Sequence, residues 1–132
     1  MNSSGLSGSG RLTLRNGMNL AAAGRTINSY VVTNEISGVI SNTATPATAL
    51  TVGGSALLWL SGTNTYNGTV GTLIQFSAGN GTLRGEDGVG IPSANVSIDT
   101  GVWESRNNIT RALGTGANQV KFITASACPC RV

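Results

Sequence analysis

The sequence predicts an all-β solenoid built from short strands that stack coil upon coil. Three observations predict it. Gly (19), Thr (16), Ser (14) and Asn (13) fill 62 of the 132 positions, and all four rank poorly in helix interiors. The apolar residues alternate with a period of two rather than 3.6, in short runs bounded by Gly, Asn or Ser. Finally, one strand pattern recurs at spacings that suggest a unit near 20 residues.

The strand signals follow in chain order. They are Leu12-Thr13-Leu14, Leu50-Thr51-Val52, Leu58-Trp59-Leu60, Leu73-Ile74-Gln75-Phe76, Val96-Ser97-Ile98 and Val120-Lys121-Phe122. The best helix candidate, Asn19 to Gly24, is stopped by its glycine after about one turn. LTLRNG (12–17) and VSIDTG (96–101) share an apolar, hydroxyl, apolar, polar, polar, Gly order, and LTVGG (50–54) shares the first half. Leu12 to Leu50 spans 38 residues and Leu50 to Val96 spans 46, read as two units of 19 and two of 23. About six coils of about 20 residues would use the chain and stand about 30 Å tall. Leu12, Leu14, Leu58, Leu60, Val96 and Ile98 are the expected inward set. Full burial of each is worth about 1.5–3 kcal/mol.

Three regions are expected. Residues 1–10 form a Ser/Gly-rich flexible lead-in, without the basic start and apolar core of a secretory signal. Residues 11–124 form the repeat region. Residues 125–132 form a non-repeat tail, read as out of register with the parent gene, that adds both cysteines in Cys128-Pro129-Cys130.

At LWLSGTNTYNGTV (58–70) the pattern resembles the autotransporter-associated β-strand repeat, also called the passenger-associated transport repeat. That family's core reads roughly L-x-L-S-G-x-N-x-Y-x-G, and Leu58, Leu60, Ser61, Gly62, Asn64, Tyr66 and Gly68 match it. ISGVISN (36–42) resembles the segment that usually precedes this core. Residues 81–104 resemble the segment that follows it, and residues 109–122 resemble a further stretch common in such proteins. A second Gly-Thr-Leu at 81–83 departs from the usual spacing and suggests an irregular coil. The resemblance implies a right-handed parallel β-helix on a cell surface or secreted, with no defined catalytic activity. By the family register Trp103 points inward.

Candidate chemistry is sparse. Enzymes on this fold need clustered carboxylates for acid–base work or calcium. The five acids are Glu35, Glu86, Asp87, Asp99 and Glu104. Only Glu86-Asp87 are adjacent, and they are expected in a solvated turn. The chain has no His, which removes the usual general base and zinc ligand. Cys128 and Cys130 are too few for a four-ligand metal site and are expected as free thiols. No cofactor is implied. The basic residues form no run and no aromatic-interleaved stripe, so they are expected as scattered solvated charges, with no nucleic-acid partner. Turn asparagines are expected to form ladders between coils.

Trp59 lies between inward Leu58 and Leu60, so it should point outward beside Leu57. There it either stacks on a sugar or neighbouring surface or is covered by a loop such as Thr43 to Ala49. The leading expectation is a structural, non-catalytic segment of an exported stalk- or adhesin-like passenger. Its partners would be neighbouring coils of a longer parent chain, and its open coil ends would favour self-association. The alternative is a polysaccharide- or surface-binding module using Leu57 and Trp59, with a polysaccharide-cleaving enzyme as a remote third. No run is apolar enough to span a membrane as a helix.

Overall fold

The computed structural model describes residues 11–30, 32–76 and 81–123. The lead-in (1–10) and the tail with Cys128-Pro129-Cys130 (125–132) lie outside the described residues. The described residues hold twelve strands: β1 (Leu12–Leu14), β2 (Met18–Asn19), β3 (Arg25–Ser29), β4 (Thr33–Ile36), β5 (Ile40–Ser41), β6 (Thr48–Gly54), β7 (Leu57–Leu60), β8 (Val70–Gln75), β9 (Thr82–Arg84), β10 (Val96–Thr100), β11 (Val102–Glu104) and β12 (Val120–Phe122). Every pairing between them is parallel.

Two five-stranded sheets form the walls. Sheet 1 runs β1-β4-β7-β9-β11 and sheet 2 runs β3-β6-β8-β10-β12. The pair β2-β5 begins a third, shorter face. Sheet neighbours are never consecutive in the chain, so each strand pairs with its equivalent one coil later. The protein is thus a parallel β-solenoid of about four turns. Five strands per sheet, about 4.8 Å apart, make a stack about 19 Å tall.

The registers give the true repeat. On sheet 1, Leu12, Asn34, Leu58, Leu83 and Trp103 stack at steps of 22, 24, 25 and 20 residues. On sheet 2, Arg25, Leu50, Thr72, Val96 and Val120 stack at steps of 25, 22, 24 and 24. The expected six coils are too many because a coil here consumes 20 to 25 residues, and most consume 22 or more. The 46-residue step from Leu50 to Val96 is two coils, with Thr72 between them. The 38-residue step from Leu12 to Leu50 is not a multiple of a coil, because those residues lie on different sheets. The same strand pattern serves both walls, so sequence similarity alone joined them.

Alternation sorts the side chains. Inside, Leu58, Leu60, Leu83, Ile36, Leu50, Val52, Ile74 and Val96 form one continuous core with Tyr66 and Phe76. Leu58, Leu60 and Val96 of the expected inward set are fully buried, and Ile98 packs against the core half-covered. Leu12 and Leu14 occupy inward register positions but are 56% and 42% exposed. They belong to the first coil, whose column has no described coil beneath it.

The helix candidate at 19–24 is instead the end of β2 and a turn. Ala21 adopts a left-handed φ of 59°, and its amide donates to the Asn19 side chain at 2.8 Å. That local bond offers the backbone an alternative to the helix.

Candidate functional site on the outer face of sheet 1

On the outer face of sheet 1, register alone builds two rows. One runs Thr13, Glu35, Trp59, Arg84, Glu104; the other runs Thr33, Leu57, Thr82, Val102. Trp59 therefore points outward beside Leu57, as alternation requires. It is half-buried, and its cover is not the 43–49 segment. The guanidinium of Arg11, from the first coil, lies over the ring at 4.9 Å. That of Arg106, just after the last strand of the sheet, lies over it at 5.4 Å.

The charged residues of the first row are paired along the stack. Glu35 is buried and accepts from Arg11, from Thr13 at 3.4 Å and from Ser61 at 2.5 Å. Arg84 makes a forked pair with Glu104 at 3.0–3.1 Å. Arg11, Val32, Thr33, Trp59, Arg84 and Arg106 enclose an open depression of about 410 Å³. The expectation of scattered solvated charges fails here. Residues 11, 84 and 106 are remote in the chain, but coil stacking brings them onto one face.

Glu86 and Asp87 form a clamp rather than a solvated turn. The Glu86 carboxylate accepts from the amides of Arg106 (3.0 Å) and Asn107 (2.8 Å) and from the Ser105 hydroxyl (3.2 Å). Asp87 accepts from the Thr110 amide at 3.1 Å and pairs with Arg111 at 2.6 Å. The Asp87 and Arg111 side chains are only 9% and 1% exposed. Arg111 also donates to the carbonyls of Ile91, Pro92 and Ala94, and its guanidinium sits 5.6 Å from the Trp103 ring centre. The pair thus folds the 105–111 segment back over the stack. The three Glu86 bonds converge on Oε2, and Asp87 uses both oxygens, so the two carboxylates together hold the 105–111 segment. Trp103 packs on the core, as expected, and its indole donates to the Gly85 carbonyl at 2.9 Å. Asp99 accepts from Gln75 at 3.0 Å, one coil away.

Of residues 58–68 that carry the resemblance, some fill the core and others tie one coil to the next. Leu58 and Leu60 are core. Ser61 bonds Glu35 of the preceding coil. A Cβ on Gly62 would meet the Gly38 carbonyl at 2.5 Å, and one on Gly68 would meet the Val70 carbonyl at 2.8 Å. Asn64 is buried and spans three coils. Its carbonyl oxygen accepts from the Ile40 amide at 2.7 Å, and its amide donates to the Gly90 carbonyl at 2.8 Å. Tyr66 shares a 2.7 Å hydrogen bond with Thr72. Burial pushes its phenol far above the ordinary tyrosine range, against opposing pulls from the Thr72 bond and the Arg111 charge. The turn asparagines do tie coil to coil, bonding backbone rather than one another. Asn42 accepts from the Asn67 amide at 3.1 Å, and Asn95 donates to the Thr69 carbonyl at 3.1 Å.

A second opening, about 380 Å³, lies at the end of the last coil and is lined by Ile98, Val102, Trp103, Ile109, Leu113 and Phe122 among others. It is the end of the apolar column that no described residue covers. Among the described residues, no group of three or more His, Cys, Asp or Glu is placed to hold a metal ion, and no helix is long and apolar enough to cross a membrane. No family model, curated protein or solved structure matches the chain.

Proposed function

We propose that this chain is a structural repeat segment of an exported, cell-surface passenger, without catalytic activity. One observation carries the reading: its polar side chains are spent on coil-to-coil bonds. Glu35, Asn64, Glu86, Asp87, Asn95, Asp99 and Arg111 each bond residues 17 or more positions away. A stack held this way resists bending and spaces whatever is joined to its ends. The resemblance of residues 58–70 to autotransporter-associated repeats supports an exported setting, and the apolar columns that no described residue covers suit neighbouring coils of a longer parent chain as partners.

Two measurements test the reading. An antibody against the chain should label intact producing cells or their medium, and acidic and neutral polysaccharides should incubate with the protein unchanged. Labelling only after lysis, or the appearance of new reducing ends, would overturn it.

A further inference from the structure

The depression around Trp59 does not balance its own charge. Three guanidinium groups line it, and two carboxylates answer them. Glu35 is taken by Arg11, Thr13 and Ser61. Glu104 is taken by the fork of Arg84. Among the described residues no carboxylate pairs with the Arg106 side chain, which is exposed and touches the Trp59 ring. A guanidinium stacked on an indole is held by its face, which leaves its N–H edges directed sideways and free to form a fork. Such a fork matches a planar or tetrahedral oxyanion.

We propose that this depression binds an acidic saccharide through one carboxylate or sulfate group, received by Arg106 with Arg11 and Arg84 alongside. The proposal is independent of the stalk reading, since a structural segment can carry a binding site or lack one. The surroundings select the carrier of the anion. Trp59 is already engaged by two guanidinium groups, so it offers no bare platform for a nucleobase, which single-stranded nucleic acid would need. Thr33 lines the depression, and Thr82 stands two coils on in the same outward row, beyond Leu57, giving hydroxyls beside and just outside it that suit a polyhydroxyl chain. The single excess positive charge suits one acidic group at a time rather than a dense polyanion.

The test uses the full chain, following the Trp59 indole resonance by NMR during titration with a short oligogalacturonate or a chondroitin sulfate fragment. A cello-oligosaccharide, inorganic sulfate and single-stranded DNA serve as competing probes. The acidic saccharides should bind most tightly. Arg106→Gln should weaken them roughly tenfold or more, because a charge-assisted fork is lost. Arg106→Lys should fall between, and Arg15→Gln, outside the depression, should bind as the parent does. An unchanged thermal midpoint in Arg106→Gln separates lost binding from lost folding. Equal binding of the neutral saccharide, or of sulfate alone, would overturn the proposal. So would tighter binding of DNA, the absence of any acidic-saccharide binding, or an Arg106→Gln variant that binds like the parent.

Discussion

The ion pairs of this protein look alike as a list of charges and differ sharply in burial. Arg111 and Asp87 are withdrawn from water, and Arg111 satisfies three carbonyls besides. Asp87→Ala leaves that guanidinium charged and unmatched, so urea unfolding should show a loss of about 3–5 kcal/mol. Glu104→Ala breaks a half-exposed fork with Arg84 and should cost about 1 kcal/mol or less. Equal losses would show that Arg111 does not hold the last coil down. Tyr66 gives a pH signature of its own. Its folded pKa is raised, chiefly by burial, so the folded chain keeps a proton that the unfolded chain releases near pH 10. The stability Tyr66 confers is therefore complete below about pH 10 and declines above it, by about 1.4 kcal/mol per pH unit. Tyr66→Phe removes the titrating group, and its stability should not show that part of the alkaline decline.

The strands become legible, or fail to, according to which coil edge and which wall they occupy. β6, β7, β8 and β10 carry alternating large apolar residues and are evident in the sequence. β3, reading RTINS, and β4, reading TNEI, are not, because their polar side chains face solvent or bond neighbouring coils. Asn34 even stands in an inward register position, donating to Ser29 at 2.8 Å. Parallel stacking supplies their hydrogen bonds whatever their side chains, so propensity is overridden. The outer-face site was half legible. Alternation placed Trp59 outward, but the guanidinium groups around it come from positions 11, 84 and 106. Only a correct coil length, set by registers rather than motifs, brings these together. Turns between strands follow steric rules that can be tested directly. Gly54 ends β6 at φ +100°, and a Cβ there would lie 2.0 Å from the Ser29 carbonyl oxygen. That carbonyl accepts the amides of Ser55 and Ala56, so it cannot retreat without breaking the corner. Gly88 has φ +77° but nothing within 4 Å of the added carbon. Gly54→Ala should therefore cost about 3 kcal/mol and Gly88→Ala about 1 kcal/mol, compared by urea midpoints. Similar costs would mean that the corner at Gly54 is less tightly packed than described.

At the scale of the whole molecule, stacking stabilises the middle coils more than the ends. Leu12 and Leu14 at one end, and Leu113 (72%) and Phe122 (61%) at the other, remain exposed. β1, β3, β11 and β12 are edge strands among the described residues, and such edges invite a further strand. Repeat stacks normally need polar terminal units to stay apart. The chain should therefore self-associate end to end, and its sedimentation coefficient should rise with concentration. A constant monomer value would show that both columns are covered in solution. The whole fold rests on each strand pairing in parallel with its equivalent one coil on. NMR cross-strand contacts test it most directly. The account predicts contacts from the Ser97 backbone to Leu73 on one side and Lys121 on the other, with the spacing of parallel strands. Close Hα–Hα contacts between chain-consecutive strands such as β6 and β7, the mark of antiparallel hairpins, would contradict it.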